Sequence, residues 1–182
     1  GGFDPGKESS DGILEKHINL AIAERLKELL EKEGIRVVMT RTDDNGLYTE
    51  SDSNKKIADM KKRCAIIDAA KADIVVSIHQ NSYHEENVFG AQVFYYQTST
   101  EGEKAAGIIQ DTLQKVNPDN TKKIKANNTY YILKKTEVPT VIVECGFLSN
   151  YKEAQKLVTE DYQKSVAEAV AEGILSYIKE NE

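Results

Sequence analysis

Two short, mostly apolar runs that each end in an ionisable residue constrain the fold of this chain more than any other feature. Residues 74–78 are followed by His79, and residues 140–143 are followed by Glu144. Runs of this length are too short for a helix and are typical of buried strands. In open α/β sheets, ligands bind outside the carboxyl ends of such strands. His79 and Glu144 are therefore the first candidates for a functional site.

Amphipathic segments with helical spacing alternate with these runs, which predicts an α/β fold. We expect a mostly parallel or mixed central sheet with helices on both faces. No internal repeat and no Pro- or Ser-rich linker interrupts the 182 residues, so a single domain is expected. The patterns predict helices at about 15–32, 55–70, 101–116 and 162–179, and strands at 35–40, 74–78, 90–96, 130–133 and 140–143.

Charge and composition argue against several kinds of partner. The net charge of −6 and the pI near 5.3 argue against binding to nucleic acid or anionic lipid, because both need a cationic surface. No run approaches the roughly 20 apolar residues of a membrane span.

Cys64 and Cys145 are too few and too far apart for a disulfide framework, and we expect both to be buried as small hydrophobes. Cys145 should face away from Glu144 across the strand.

Glu15 stands at the start of the first predicted helix. It precedes Ile18 and Ile22 by three and seven residues, so it shares their inward stripe. Such a carboxylate can be paired, capping or metal-bound, or it can be a favourable charge in the first helical turn. The pattern alone leaves both interpretations open. His17 lies about 200° around the helix from Glu15 and should face outward.

His79 could be a hydrogen-bonded core histidine or a functional one. The neighbouring Ser77, Gln80 and Asn81 favour a functional role, because polar groups of this kind orient ligands or hold substrate amides. His84 lies beside two glutamates in an acidic loop and is expected to be solvated.

Glu144 ends a continuous apolar strand, where a carboxylate is costly unless it is used or paired. One interpretation is a structural ion pair with Arg41, Arg63 or a lysine. The other is a general base beside a metal. One imidazole and two carboxylates at separate element ends suggest the site of a metal hydrolase.

Six stretches of the sequence together resemble one family of enzymes. They are Gly1-Gly2 with Asp4-Pro5-Gly6, Glu15-Lys16-His17-Ile18-Asn19-Leu20, Met39-Thr40-Arg41, Ser77-Ile78-His79-Gln80-Asn81, Gly90-Ala91 with Phe94-Tyr95, and Val143-Glu144-Cys145-Gly146-Phe147-Leu148-Ser149-Asn150. Each piece is weak, but their order across nearly the whole chain is specific. The set resembles the zinc-dependent N-acetylmuramoyl-L-alanine amidases.

This resemblance implies a cofactor, a substrate and site residues. It implies that Glu15 and His79 bind Zn²⁺ and that Glu144 is the catalytic base. The substrate would be peptidoglycan, cleaved at the amide between N-acetylmuramic acid and L-alanine. We also expect substrate contacts from Asn81 and from the loop at 122–131, although an ordinary surface loop is an alternative there. The loop residues concerned are Asn127, Asn128 and Tyr130.

The chain departs from the family pattern at its beginning. The family places a first zinc-ligand histidine, at the end of a first strand, directly before the position of Gly1. Neither His17 nor His84 fits that role. We therefore expect residues 1–182 to be an amidase catalytic domain without that strand and its histidine, which would lie upstream of Gly1.

The resemblance also bears on the biological setting. The short single-domain form is similar to amidases that act on spore cortex, which implies an extracytoplasmic location, a role in sporulation or germination and possible control by a regulatory protein. Two alternatives share the fold: a non-catalytic module that binds cell wall or peptide, and a zinc exopeptidase that cuts a different bond.

Overall fold

A four-stranded mixed sheet lies at the centre of the computed structural model, which describes residues 1–181. In chain order the strands are β1 (Val75–Asn81), β2 (Gln92–Tyr96), β3 (Lys125–Asn127) and β4 (Thr140–Phe147). The helices are α1 (Glu15–Lys32), α2 (Lys55–Ala70), α3 (Thr100–Val116), α4 (Tyr131–Lys135), α5 (Tyr151–Leu157) and α6 (Glu160–Lys179). No helix in this part of the chain is both long and apolar enough to cross a membrane.

The pairing of the strands brings the two candidate residues together. The order in the sheet is β1-β4-β2-β3, with β4 parallel to β1 and antiparallel to β2. Because β1 and β4 are parallel, their carboxyl ends lie at the same edge of the sheet. The register places His79 directly beside Glu144. The predicted α/β fold with a mixed sheet is confirmed.

Helices cover both faces of this sheet. Val93, Val141 and Val143 point into the larger core, which they share with apolar residues of α1, α3 and α6. Phe94 and Ile142 point into a smaller core with apolar residues of α2 and α4. Successive residues of a strand alternate between these faces, so Glu144 shares the face of Ile142 and the buried Cys145 lies in the larger core. The expected opposition of Glu144 and Cys145 is confirmed.

Helix α1 has the predicted bounds because its sequence carries strong helical signals. Its apolar stripe is buried, and Gly34 ends it with a backbone φ of +80°, a conformation that glycine adopts without strain. Glu15 lies on the same inward stripe and is only 6% exposed. Helix α1 therefore places the Glu15 carboxylate at the edge of the sheet.

Three predictions about local structure were wrong. Residues 35–40 form no strand, because this extended segment has no hydrogen-bonded strand partner within residues 1–181. The predicted strand at 130–133 is largely the helix α4, since Asn127 accepts a hydrogen bond from the Tyr130 amide and turns the chain. In α2, the helical spacing predicts Ile57, Met60, Ala65 and Ile66 as inner residues, but Ile57 is 51% exposed and Ala65 is also exposed. That helix instead turns Asp59 inward, where it accepts the Leu47 amide.

A deep slot separates the extended segment at 35–41 from the free edge of β1. Its volume is about 790 Å³, and α1 forms its third wall. Apolar side chains such as Ala23, Val37 and Val76 line it and remain half-buried. Glu15 and His79 lie among the lining residues, so the slot opens onto the candidate site.

The contact between α3 and α6 provides a test of the fold. A Cβ atom at Gly173 would lie 2.9 Å from the Cα of Ile109, whereas one at Gly107 would meet nothing within 4 Å. We expect Gly173→Ala to lower the free energy of unfolding by about 1 kcal/mol, because overpacking of roughly 1–3 kcal/mol exceeds the gain in helix propensity. Gly107→Ala should raise it by about 0.5–1 kcal/mol. Urea denaturation measures both, and stabilisation by both variants would contradict the close packing.

Candidate active site

The three candidate residues converge at the carboxyl edge of the sheet. The Nδ1 atom of His79 lies 2.8 Å from Oε1 of Glu15, although 64 positions separate them in sequence. Glu144 is the neighbour of His79 across the β1–β4 pairing. The fold thus brings the amino end of α1 and the carboxyl-terminal halves of two parallel strands to one point.

Hydrogen bonds fix the carboxylate of Glu15 on all sides. Its Oε2 accepts the backbone amide of Lys7 at 2.7 Å. Its Oε1 accepts the side-chain amide of Asn19 at 3.1 Å and the backbone amide of Gln80 at 3.2 Å. Asn19 in turn accepts a hydrogen bond from the Gln80 side chain at 3.2 Å. These contacts hold Glu15 in one orientation towards His79.

The surroundings of Glu15 also keep it ionised. Burial by itself would raise the pKa of Glu15, but the hydrogen bond and charge of His79, together with two further hydrogen bonds, lower it to about 2. Gly6 packs directly on this carboxylate with a φ of +73°, and a Cβ there would collide with Glu15. Glycine at this position therefore lets the loop close over the site.

The His79 ring is held through both of its nitrogens. Nδ1 contacts Glu15, and Nε2 lies 3.1 Å from the hydroxyl oxygen of Ser77. Burial lowers the pKa of His79, but the hydrogen bond to Glu15 and the charges of Glu15 and Glu144 raise it above its usual value overall. A histidine in the apolar core would lack such carboxylate neighbours, so this environment differs from that of a simple core histidine.

Glu144 is buried and forms no salt bridge with an arginine or lysine among residues 1–181, which contradicts the structural ion pair. Its side chain is 7% exposed, and its Oε2 has no hydrogen-bond partner within residues 1–181. Arg63 pairs with Asp59 at 2.6 Å, and the Arg41 guanidinium donates to backbone carbonyls instead. Burial, aided by the charge of Glu15 and opposed by His79, raises the pKa of Glu144 to about 7. A carboxyl group with a pKa near neutrality is suited to exchanging protons.

The other histidines lie away from this point. His17 is exposed on the outer side of α1, and the side chain of His84 is 72% exposed, as the sequence predicted. Across the described part of the chain, no group of three or more His, Cys, Asp or Glu side chains is arranged to hold a metal ion. Glu15 and His79 are one carboxylate and one imidazole in direct contact.

Comparison with known proteins decides the family. Residues 1–176 match the family described as N-acetylmuramoyl-L-alanine amidase. The chain belongs to this family. It is therefore an enzyme that acts on peptidoglycan, which favours amide hydrolysis over the wall-binding and exopeptidase alternatives.

Individual relatives agree with this assignment. The chain is 36% identical to the germination-specific N-acetylmuramoyl-L-alanine amidase of Bacillus subtilis, over 98% of this chain and 79% of the relative. It is 38% identical to the CwlD amidase from Clostridioides difficile, solved in complex with the GerS lipoprotein, with a TM-score of 0.95 over 98% of this chain and 94% of that one. An N-acetylmuramoyl-L-alanine amidase from Clostridium difficile 630 shares 33% identity and a TM-score of 0.88, over 100% and 94% of the two chains.

The residues expected to contact substrate have different surroundings in this amidase. Tyr130 is 37% exposed, and the charge of Glu144 contributes, after burial, to the raised pKa of its hydroxyl. Asn127 uses its side-chain oxygen to accept the amides of Thr129 and Tyr130, each at 2.8 Å, so it shapes the loop that presents Tyr130. Asn128 is exposed. Asn81 is half-buried and accepts the Ser82 amide at 2.8 Å.

Sequence reasoning missed one buried residue beside the amidase site. Glu153 is 5% exposed and accepts the backbone amides of Gly90 at 2.9 Å and Phe147 at 2.7 Å. It thereby ties Gly90, two residues before β2, to the end of β4. The signal was present, because Asn150 with Glu153 three residues later is a helix-start pattern, and Asn150 does cap α5 through the Glu153 amide.

Proposed function

We propose that this amidase is a zinc-dependent hydrolase of the amide between N-acetylmuramic acid and L-alanine, with Glu144 as its general base. The observation that supports the proposal best is the state of Glu144. It is buried beside His79 and has a carboxylate oxygen without a partner among residues 1–181. An unpaired buried carboxylate is costly for folding, which is expected of a group retained for chemistry.

The donors at the site suit zinc. Imidazole nitrogen and carboxylate oxygen are common zinc ligands, and catalytic sites combine three of them with a water molecule. Glu15 and His79 would hold the ion, with Ser77, Asn19 and Gln80 orienting these two ligands. When bound, zinc would supply a Lewis acid that polarises the scissile carbonyl and acidifies the attacking water.

We also propose that the third ligand is a histidine on a strand upstream of Gly1. The support is the slot beside β1, which has apolar walls and one unpaired strand edge and which opens onto Glu15 and His79. A strand lying there would satisfy the free hydrogen-bonding groups of β1. Its carboxyl end would lie beside the two ligands if it ran parallel to β1.

Glu144 performs the proton transfers in the proposed reaction. Its carboxylate accepts a proton from the water that attacks the amide carbonyl carbon. The same group then returns the proton to the nitrogen of the departing L-alanine, so that the leaving group is a neutral amine. Asn81, Asn127, Asn128 and Tyr130 are proposed to contact the glycan or the peptide stem. Of these, Tyr130 has a hydroxyl whose pKa is raised by burial and by the charge of Glu144.

The relatives suggest the biological setting. We propose an extracytoplasmic role in the cell wall or spore cortex during sporulation and germination, supported by the similarity to the germination-specific amidase. We also propose a regulatory protein partner, because the similar CwlD amidase was solved with the GerS lipoprotein.

Zinc content and product analysis test this proposal. We expect the protein, with the residues proposed to precede Gly1, to bind about one zinc ion and to release stems with a free L-alanine amine and glycan with a lactyl carboxylate. His79→Ala should lose both zinc and turnover, whereas His17→Ala, at an exposed histidine, should lose neither. Chelation should abolish turnover and added zinc should restore it. Cleavage of purified peptidoglycan that persists without zinc, or products with a different new terminus, would contradict the proposal.

A further inference from the structure

The sheet face that carries His79 and Glu144 continues onto β2 and β3. Gln92 is the cross-strand neighbour of Glu144, and Lys125 is that of Phe94. Cross-strand neighbours project from the same face, as do residues two positions apart along a strand. Gln92, Phe94 and Lys125 therefore extend the catalytic face away from Glu144 and towards the edge of the sheet.

An aromatic shelf with one cation lies on this extension, formed by Phe94, Tyr130 and Lys125. The rings of Phe94 and Tyr130 are 5.6 Å apart between centroids and inclined by 54°. The ammonium group of Lys125 lies 5.7 Å from the centroid of the Phe94 ring, within the range of a cation–π contact. Phe94 is buried beneath, while Tyr130 and Lys125 are exposed. The shelf thus presents the Tyr130 ring and a positive charge to solvent.

The positive charge of this shelf is free to bind an anion. Lys125 forms no salt bridge with any of residues 1–181. The site itself is acidic, since Glu15 and Glu144 lie within it and the chain carries a net charge of −6. An anionic substrate would be repelled there unless a nearby cation compensated its negative charge.

Protection of the sheet edge is the competing explanation for Lys125. Lysines on edge strands prevent pairing with other chains, and β3 is an edge strand. A purely protective lysine would extend into solvent beyond the edge. Lys125 instead lies over Phe94, which is on the face shared with Glu144.

We propose that the Lys125 ammonium, positioned on the Phe94–Tyr130 shelf, binds a free carboxylate on the second residue of the peptide stem. The backbones of Lys125 and Glu144 are about 12 Å apart, from two strand spacings and one two-residue repeat. The lysine side chain and an extended stem, which rises about 3.4 Å per residue, together cover that distance. The inference rests on the proposed function, because it takes the scissile amide to lie beside Glu144.

Peptide binding tests this subsite without any need for turnover. The probes are L-alanyl-γ-D-glutamyl methylamide, which has one free carboxylate, and the same compound with that carboxylate converted to an amide. We expect the protein to bind the acid about fivefold more tightly than the amide, as measured by calorimetry or NMR titration, because one partly exposed ion pair is lost. Lys125→Gln should bind the two probes equally.

A second lysine supplies the matched control. Lys32 is exposed at the carboxyl end of α1, about 25 Å along the helix from Glu15. Lys32→Gln removes the same charge and should leave the fivefold preference unchanged. Equal binding of the two probes by the wild-type protein, failure to bind either, or a preference that survives in Lys125→Gln would each overturn the subsite.

Turnover measured in parallel separates this inference from the proposed function. Muramoyl derivatives of the same two peptides serve as substrates. A binding preference that depends on Lys125, without cleavage of either substrate, would support the subsite and refute the hydrolytic role. Cleavage without any preference in binding or in kcat/KM would refute the subsite and leave the hydrolytic role in place.

Discussion

Glu144→Gln should lower kcat by about a hundredfold to ten-thousandfold, the range that a positioned general base contributes. The substitution keeps the size and shape of the side chain but removes its capacity to accept a proton from water. Zinc content should stay at the wild-type level, because Glu144 is proposed as a base and not as a ligand. Release of muramic acid lactyl carboxylate from peptidoglycan measures the rate, and elemental analysis measures the metal.

The same variant should keep or increase its stability. The buried Oε2 of Glu144 has no partner in the described chain, so the wild-type protein bears the cost of a buried carboxylate. An amide of the same shape removes the charge, and the free energy of unfolding of the metal-free protein should be unchanged or higher. Sites that sacrifice stability for activity behave in this way.

Two controls define what would refute this role of Glu144. Glu137→Gln alters an exposed glutamate and should change neither rate nor stability. Glu15→Gln should lose zinc as well as turnover, unlike Glu144→Gln. If Glu144→Gln keeps more than a tenth of wild-type turnover with zinc bound, another group must accept the proton.

The sequence predicted those parts of the fold that local signals determine. Helices α1 and α2 have the bounds expected from their sequence patterns. In the structure, Gly34 follows α1 and the Asn54 side chain caps α2. The two buried strands that carry His79 and Glu144 were predicted for the same reason, although β1 continues to Asn81 and β4 to Phe147. Hydrophobic periodicity and capping act within a few residues, so they can be read without knowledge of tertiary contacts.

Features that depend on distant partners could not be predicted from local pattern. Residues 35–40 have strand-like composition, but a strand exists only where another strand pairs with it. The three-residue strand β3 is recognised as a strand through its pairing with β2. The register that places His79 beside Glu144, and Gln92 on the other side of Glu144, likewise comes from tertiary contacts. The sequence therefore predicted that Glu15, His79 and Glu144 lie together, but not that the same sheet face continues towards Lys125.

Glu153→Ala should produce the largest loss of stability, about 3–5 kcal/mol. Removing the carboxylate leaves the buried amides of Gly90 and Phe147 without acceptors, and each unsatisfied group costs about 1–3 kcal/mol. The side chain also packs closely on Gly146, where an added Cβ would lie 3.0 Å from the Glu153 carboxyl carbon. A void would replace this contact. Urea or thermal denaturation measures the loss.

A graded series shows whether these hydrogen bonds cause the effect. Glu153→Gln keeps one acceptor oxygen and should lose about half as much stability as Glu153→Ala. Glu28→Ala removes an exposed helical glutamate and should change stability by less than about 0.5 kcal/mol. Equal losses from Gln and Ala at position 153 would assign the effect to charge and not to the number of acceptors.

The position of Glu153 also links stability to the site. Its two acceptor bonds join Gly90, two residues before Gln92, to Phe147, three residues after Glu144. Gln92 and Glu144 are neighbours across β2 and β4. Weakening the two hydrogen bonds of Glu153 should therefore shift Glu144 relative to the substrate. We therefore expect Glu153→Gln, assayed well below its melting temperature, to lower kcat while zinc content stays unchanged. If this variant is less stable but turns over at the wild-type rate, the hydrogen bonds of Glu153 stabilise the fold without positioning Glu144.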